Sequence, residues 1–476
     1  MLAALRFARG PRMSTPTPAP ITGVSGGADG LTARYDAVLA LASSYDDAGD
    51  RLRGWAGRDA RTMRAEDLVA SAPVSPPTFL DAECAVLAAT TGPDGALPAS
   101  VGWETDALLL RVTVRSFRET DDLVHASFEA LDYALGRAVG TTLPATAPAL
   151  LALTLLGVVD GDDLEQWVID HPGATQHLVN GGGGLLDGLL APTGVLPTFT
   201  PDTESAAGTL AALYGPDGGA RVTPLDVGVP AGGTQPGTLA DVVAHLGELS
   251  ALSGPRHPEH NGTIEIQTLT GPDGQVRHIV YLPGTDDMAT LPWTQDSDVR
   301  DLATNLQLVA GHDNAYQQGI LEAMHQAGIG PEDPVLLAGH SQGGMEAAAI
   351  LGQGGGGFHV TDVVTAGSPT AQVDGFPPGS HVLSLEHNGD VVPLLDGEDN
   401  PDSVQQVTVH FGDGPGDAGG GIVDQHGFDH YVAGAAAVDA STDPSVAESL
   451  QSLHDQGFLG SGLTVTSQTF QITRAP

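Results

Sequence analysis

The rhythm of apolar residues divides this chain into two textures. Between residues 31 and 53, Tyr35, Val38, Leu39, Ala42, Tyr45 and Leu52 recur near helical spacing, with Asp and Arg between them. That is the pattern of an amphipathic helix, and Gly54-Trp55-Ala56-Gly57 reads as its stop. A second helical pattern covers residues 106–139, where Leu109, Val112, Phe117, Val124, Phe128, Leu131 and Leu135 fall on related faces. A third, largely apolar, covers residues 149–169. These patterns predict a mainly helical N-terminal domain over residues 31–180, behind a disordered lead over residues 1–30. Gly181-Gly-Gly-Gly184 then opens a stretch rich in Gly, Pro and Thr, which reads as a loose linker over residues 181–236.

From residue 237 strands and helices alternate. Thr238-Leu-Ala-Asp241 caps a short helix through Leu252. Strands are expected at Thr263–Thr270 and Val276–Leu282, on either side of a Gly271-Pro-Asp-Gly274 turn. A helix over residues 298–326 and a strand over 335–338 follow, with a helix directly after that strand. Further strands are expected at 361–366, 381–385 and 404–411, helices after Asp429 and over 445–456, and an edge strand over 463–472. This alternation predicts an α/β domain over residues 237–476, a mostly parallel sheet covered by helices.

Charge narrows the partners. Asp and Glu number 59 against 18 basic residues, a net charge of -41. Every basic residue is arginine, and thirteen of them precede residue 138. The acidic remainder repels nucleic acid and anionic membranes, so neither is an expected partner. The lone Cys84 excludes an internal disulfide and a cysteine-based zinc site, and Ala85-Val86-Leu87 beside it suggests an inert core thiol. The apolar stretch 143–159 is interrupted by Pro144, Pro148 and Gly157, so no integral membrane segment is expected. Residues 1–10 lack the apolar run of a secretory signal, and Met13 offers an alternative start. A cytoplasmic location is the default expectation.

The chemistry gathers around Val335-Leu-Leu-Ala-Gly-His-Ser-Gln-Gly-Gly-Met345. An apolar run meets G-x-S-x-G and passes into an alanine-rich helix, the context of a nucleophile elbow carrying Ser341. Such a turn is crowded, so Gly339 and Gly343 must be small, and Gly344 gives the helix room against the strand. Hydrolases built this way place the acid and then the histidine after the serine. Asp390, in Glu386-His-Asn-Gly-Asp390-Val-Val-Pro393, follows a strand and sits at a turn, where ligands bind in open α/β sheets. Asp396 and Asp402 are the fallback acids. For the base, Gln425-His426-Gly-Phe-Asp-His430-Tyr431 offers two histidines, and His410 lies on the preceding strand. A loop just before a helix suits the base, which favours His426 over His430. His340, beside the nucleophile, points away from the hydroxyl. A metal reading of His426, Asp429 and His430 lacks a further ligand. The oxyanion donors expected are the N–H of Gln342 and Thr285, after the strand that ends at Leu282-Pro-Gly284.

In this order, Leu282-Pro-Gly-Thr285, Gly339-His-Ser-Gln-Gly343, Thr365-Ala-Gly-Ser-Pro369 and Asp390-Val-Val-Pro393 resemble the class 3 (fungal-type) lipases and related α/β-hydrolases over residues 260–440. Family members commonly carry a histidine five residues before a tyrosine that opens the next helix, which His426 and Tyr431 reproduce. The resemblance implies a serine esterase working through an acyl-enzyme on Ser341, with His426 as base, Asp390 orienting it and Thr285 as the oxyanion hydroxyl. It implies no metal or organic cofactor, a small-molecule or lipid ester as substrate, and a lid over residues 286–300 carrying Met288, Leu291 and Trp293. Pro283 stands where the family usually has Arg. The Trp55-Ala-Gly57 helix also looks like the helical hairpins of proteins that leave by the type VII pathway. That would make the chain extracellular and give the helices a protein partner. Two other functions are weighed: a non-catalytic interaction protein with a hydrolase-like half, and a thioesterase or amidase on the same fold.

Overall fold

The computed structural model describes residues 17–155, 161–190, 202–215, 217–412 and 421–475. The first part of the expected lead, including Met13, the end of the apolar stretch at 156–159, and linker residues 191–201 lie outside the described residues. The chain forms two compact units: residues 31–127, all helical, and the remainder, which holds the sheet.

The first described element, β1 (Ile21–Gly26), belongs to the sheet unit. The helical unit comprises α1 (Leu31–Thr62), α2 (Glu66–Ser71), α3 (Pro76–Thr90) and the first half of α4 (Ala96–Leu155). Small side chains let α1 and α4 approach: Ala42 and Ala56 on one, Ser100 and Ala107 on the other, are buried. Arg111 reaches Asp46 at 2.6 Å and Arg118 reaches Asp36 at 3.3 Å along the same pair. The expected stop at Gly54–Gly57 does not occur, and α1 runs through it. A side chain at Gly54 or Gly57 would touch nothing within 4 Å, so these glycines cost helix propensity, about 1 kcal/mol each, without breaking a long helix. Trp55 therefore sits mid-helix and not at a hairpin turn. Cys84 is exposed and not a core thiol, because α3 buries only Thr90.

The sheet unit continues with α5 (Gly161–Asp170), α6 (Pro172–Asn180), α7 (Gly182–Leu190), α8 (Thr203–Ala211) and β2 (Ala220–Leu225). The expected linker is thus largely structured. Its glycines serve contact: a Cβ on Gly184 would run into the Tyr133 carbonyl, and one on Gly188 into that of Arg137. Next come α9 (Leu239–Ser250), β3 (Thr263–Thr270), β4 (Val276–Leu282), α10 (Leu302–Val309) and α11 (Ala315–Gln326). The expected single helix over 298–326 is two, because Asp301 and Asn314 each accept an N–H three residues on and start a new helix. The remainder is β5 (Pro334–His340), α12 (Gln342–Gly352), β6 (His359–Ala366), β7 (His381–His387), β8 (Gln406–Phe411), α13 (Ile422–Gln425), α14 (Phe428–Asp439), α15 (Pro444–Asp455) and β9 (Thr464–Arg474).

The fold of this unit is mixed α/β, with nine strands in the order β1-β8-β7-β6-β5-β4-β3-β9-β2. Strands β4 to β8 run parallel, while both flanks are antiparallel, so the sheet is mixed rather than mostly parallel. Three expectations change here. Residues 21–26 are a paired edge strand, not disordered lead; β9 lies between β3 and β2, not at an edge; and β2, from the expected linker, takes the edge. The central strand β5 explains why its sequence is continuously apolar. Leu336 and Ala338 pack with α9 and α14 on one face, and Val335 and Leu337 with α11 and α12 on the other. Among the described residues no helix is long and apolar enough to cross a membrane.

Several carboxyls of this unit are buried with few partners. Burial pushes Glu346 and Glu386 up to about 8, Asp396 to about 7 and Asp298 to about 6. Unfolded carboxyls titrate near 4 to 4.5, so the folded chain holds extra protons between that point and about pH 8. Their contribution is therefore most favourable in acid, falls as pH rises through this window, and levels off above it. Melting temperature is expected to drop between pH 5 and pH 8. Glu346→Gln should shrink that drop, and an equal drop in the variant would contradict it.

Candidate active site

Ser341 occupies the sharp turn between β5 and α12, with φ 54° and ψ -126°. Among the described residues it is the only non-glycine with positive φ. Such a conformation costs roughly 1–3 kcal/mol, so the surroundings must enforce it. They do so by crowding: a Cβ on Gly339 would strike the Gly343 carbonyl, and one on Gly343 would strike the Leu282 carbonyl. A Cβ on Gly344 would strike Ser368, which identifies the neighbour that its smallness admits. The Ser341 N–H donates to the Ala366 carbonyl at 2.9 Å and ties the turn to β6.

Asp390 and His426 come together from the turn after β7 and the junction of α13 with α14. His426 Nδ1 donates to Asp390 Oδ2 at 2.6 Å. The same carboxylate oxygen accepts from the Tyr431 hydroxyl at 2.5 Å, and Oδ1 accepts the Val392 N–H at 2.9 Å. The Asp390 side chain is fully buried, while His426 keeps 18% exposure. Gly367, with φ 63°, makes this convergence possible, since a Cβ there would lie 2.7 Å from the Tyr431 hydroxyl and 2.9 Å from His426 Cε1. His426 Nε2 is buried and makes no hydrogen bond to the described residues, Ser341 included. Ser341 and His426 line the same cavity.

Tyr431 is the contact that residue spacing alone did not reveal, although its place five residues after His426 was visible. Burial, then the Asp390 charge, push its phenol well above the usual range, so it donates. Tyr431→Phe removes one hydrogen bond to a buried carboxylate. For a serine hydrolase built on this site, the expected result is about a tenfold loss in kcat with KM little changed. Unchanged kcat would mean that Asp390 is held adequately without it.

The other candidates go elsewhere. His430 stacks on His387 at 4.3 Å, and His410 lies 3.4 Å from Glu386. His340 Nε2 donates to the His426 carbonyl at 3.1 Å, and burial, then His426, hold its imidazole well below the usual range. Asp396 accepts the Ala371 N–H, and Asp402 lies beside Gly30. Neither is paired with His426. The rings of His426 and His430 serve different partners.

The cavity measures about 600 Å³ and is lined mainly by Met288, Leu302, Leu306, Val309, Met345, Val392, Leu395, Ile422 and Val423. Ser341, His426, Gly284 and Thr285 also line it, and among the described residues no Asp, Glu or Arg does. Gly284 lies against the serine, where an added Cβ would sit 2.8 Å from Ser341 Cβ. Gln342 heads α12, so its N–H has no acceptor within the helix, and its side chain donates to the Asp301 carbonyl. Thr285 Oγ1 accepts from Asn305 Nδ2 at 3.0 Å, which leaves its own proton free for another acceptor. Asn305 was not anticipated, because its contact bridges two elements distant in sequence. Residues 286–300 form a loop whose neck is closed by the Asp286 N–H on the Arg300 carbonyl at 2.8 Å and by a buried Arg300–Asp286 ion pair at 2.6 Å. On this loop Met288, Leu291 and Trp293 are exposed, Trp293 to 80%.

No protein family, curated protein or solved structure matches this chain.

Proposed function

We propose that the chain is a serine hydrolase of the α/β-hydrolase type, similar to class 3 lipases, that cleaves carboxylic esters through an acyl-enzyme on Ser341. One observation carries the reading: a serine on an enforced strand–helix turn shares a cavity with an imidazole whose other nitrogen is held by a buried carboxylate. His426 Nε2 takes the Ser341 proton as the hydroxyl attacks the ester carbonyl, then delivers it to the leaving alcohol. Water then repeats the sequence on the acyl-enzyme. The Ser341–His426 hydrogen bond is not made in the free protein, and bonds of this kind tighten when substrate binds. The N–H of Gln342 and the hydroxyl of Thr285 are the donors for the developing oxyanion, with Asn305 fixing the latter. No step calls for a metal or organic cofactor.

The apolar, uncharged lining supports an uncharged ester with an aliphatic acyl chain, and the loop 286–300 is read as the lid. Each methylene taken from water contributes about 0.8 kcal/mol. Across p-nitrophenyl esters from acetate to octanoate, kcat/KM is expected to rise at least about tenfold. A panel with acetate as the best substrate would remove the cavity from the role of acyl site. Thioester or amide cleavage uses the same groups, and matched octanoyl substrates separate these leaving groups.

A second reading, a protein-binding role for the helical unit, is supported by Val101, Leu108 and Val112, which are exposed on one side of α4. The two readings are compatible, since the exposed residues lie in the helical unit and the cavity in the sheet unit.

A further inference from the structure

Thirteen of the 18 arginines precede residue 138, which leaves five for the strongly acidic remainder. Arg474, the last residue of β9, is one of these five, and its side chain is buried. Its guanidinium forks onto one carboxylate: Nη1 donates to Asp301 Oδ2 at 3.2 Å and Nη2 to Asp301 Oδ1 at 3.3 Å. Nη1 also donates to the Asp298 carbonyl, and Nε to Asp217. The Arg474 N–H donates to the Ser297 carbonyl at 2.7 Å, which fixes the end of the strand against the same segment. Asp301 is itself fully buried and starts α10, where its Oδ1 accepts the Thr304 N–H at 3.0 Å.

The supports of both oxyanion donors meet at Asp301. Its carbonyl accepts from Gln342 Nε2 at 2.9 Å, and Gln342 Oε1 is buried without a hydrogen bond to the described residues, so this contact orients the Gln342 side chain. The same carbonyl accepts the Asn305 N–H at 3.3 Å, and Asn305 Nδ2 in turn holds the Thr285 hydroxyl at 3.0 Å. Asp287, two residues after Thr285, pairs with Asp301 in a parallel bridge. Arg474 does not line the catalytic cavity. We propose that Arg474 is a positioning residue for ester hydrolysis: by holding the Asp301 carboxylate it fixes the first turn of α10, and with it the aim of the Gln342 N–H and the Thr285 hydroxyl. The inference rests on the hydrolase reading and deepens it. Oxyanion donors act only when they are set before the reaction, so a small displacement weakens the transition state more than the bound ester. Without the guanidinium the Asp301 carboxylate is left buried and unpaired, and the first turn of α10 must shift to find it water or other donors.

The test uses the full-length protein, p-nitrophenyl octanoate as substrate and two inhibitors of matched chain length. Octylboronic acid bonds its boron to the Ser341 oxygen while the serine proton passes to His426, and the resulting anionic tetrahedral centre calls on the two donors. 1-Octanol fills the cavity without forming such a centre. Arg474→Met keeps the bulk and removes the fork. Its kcat is expected to fall at least about tenfold, less than the roughly 10²–10³ that outright loss of one donor costs, with KM within about twofold of wild type. Octylboronic acid should bind more weakly by the same factor as kcat falls, and 1-octanol should bind as before. A role confined to stability would lower the melting temperature but leave kcat, and the ratio of the two inhibition constants, at wild-type values. Asp301→Asn keeps the carbonyl and the helix cap, since asparagine caps as well as aspartate, and should show the same split even if Arg474→Met fails to fold. Wild-type kcat and boronate affinity in the folded variants, or equal weakening of both inhibitors, would overturn the positioning role and leave the hydrolase reading intact. A wild-type protein that neither cleaves the ester nor binds octylboronic acid would overturn the hydrolase reading, and the positioning role with it.

Discussion

Ser341→Ala is expected to lower kcat for ester hydrolysis by about a million-fold, since loss of a nucleophile removes nearly all catalysis by its partners as well. The alanine keeps the positive φ, so its melting temperature should stay close to that of the wild type. Ser341→Gly should be equally inactive yet more stable, because glycine relieves roughly 1–3 kcal/mol of backbone strain at φ 54°. Activity within tenfold of wild type in either variant would remove Ser341 from the mechanism. A less stable glycine variant would contradict the strain argument alone.

Asp390→Asn is expected to cost about 10⁴-fold in kcat with a smaller effect on KM. The amide can turn an N–H toward His426 Nδ1, which then presents its proton on Nε2, the wrong tautomer for a base. The Tyr431 hydroxyl and the Val392 N–H both donate to this side chain, so an asparagine leaves at least one donor poorly matched. Some loss of stability should accompany the loss of rate. Asp396→Asn provides the contrast, since Asp396 does not touch His426. Hydrolysis of plain esters should survive it, and a comparable fall in both variants would point to general disruption.

The parts that were legible in sequence share one property: their constraint is local. At Gly339 and Gly343 a side chain collides with the neighbouring backbone, so the need for glycine follows from the turn. His426 stood out because a loop residue just before a helix is free to swing its ring to a strand end. The apolar run 335–338 predicted a strand, and in the structure both of its faces are covered.

What was illegible depends on contacts between distant residues. The glycines at 181–188 carry the composition of a linker, yet Gly184 and Gly188 lie against the carbonyls of Tyr133 and Arg137, where a side chain would not fit. Composition cannot distinguish a glycine that frees the chain from one that admits a neighbour. Gly54 and Gly57 erred in the other direction: they read as a stop, but α1 tolerates them on an open face. Edge and centre of the sheet were equally hidden, because β1 and β9 are placed by pairing with β8, β3 and β2. The same holds for Asn305 and Tyr431, whose partners lie 20 and 41 residues away.

The most direct test treats the folded wild-type chain with a fluorophosphonate probe and maps the modified peptide by mass spectrometry. A nucleophilic serine backed by His426 and Asp390 should be labelled stoichiometrically at Ser341, and the Ser341→Ala protein should remain unmodified. A folded wild-type protein that stays unlabelled, or one that carries the label on another serine, would contradict the account.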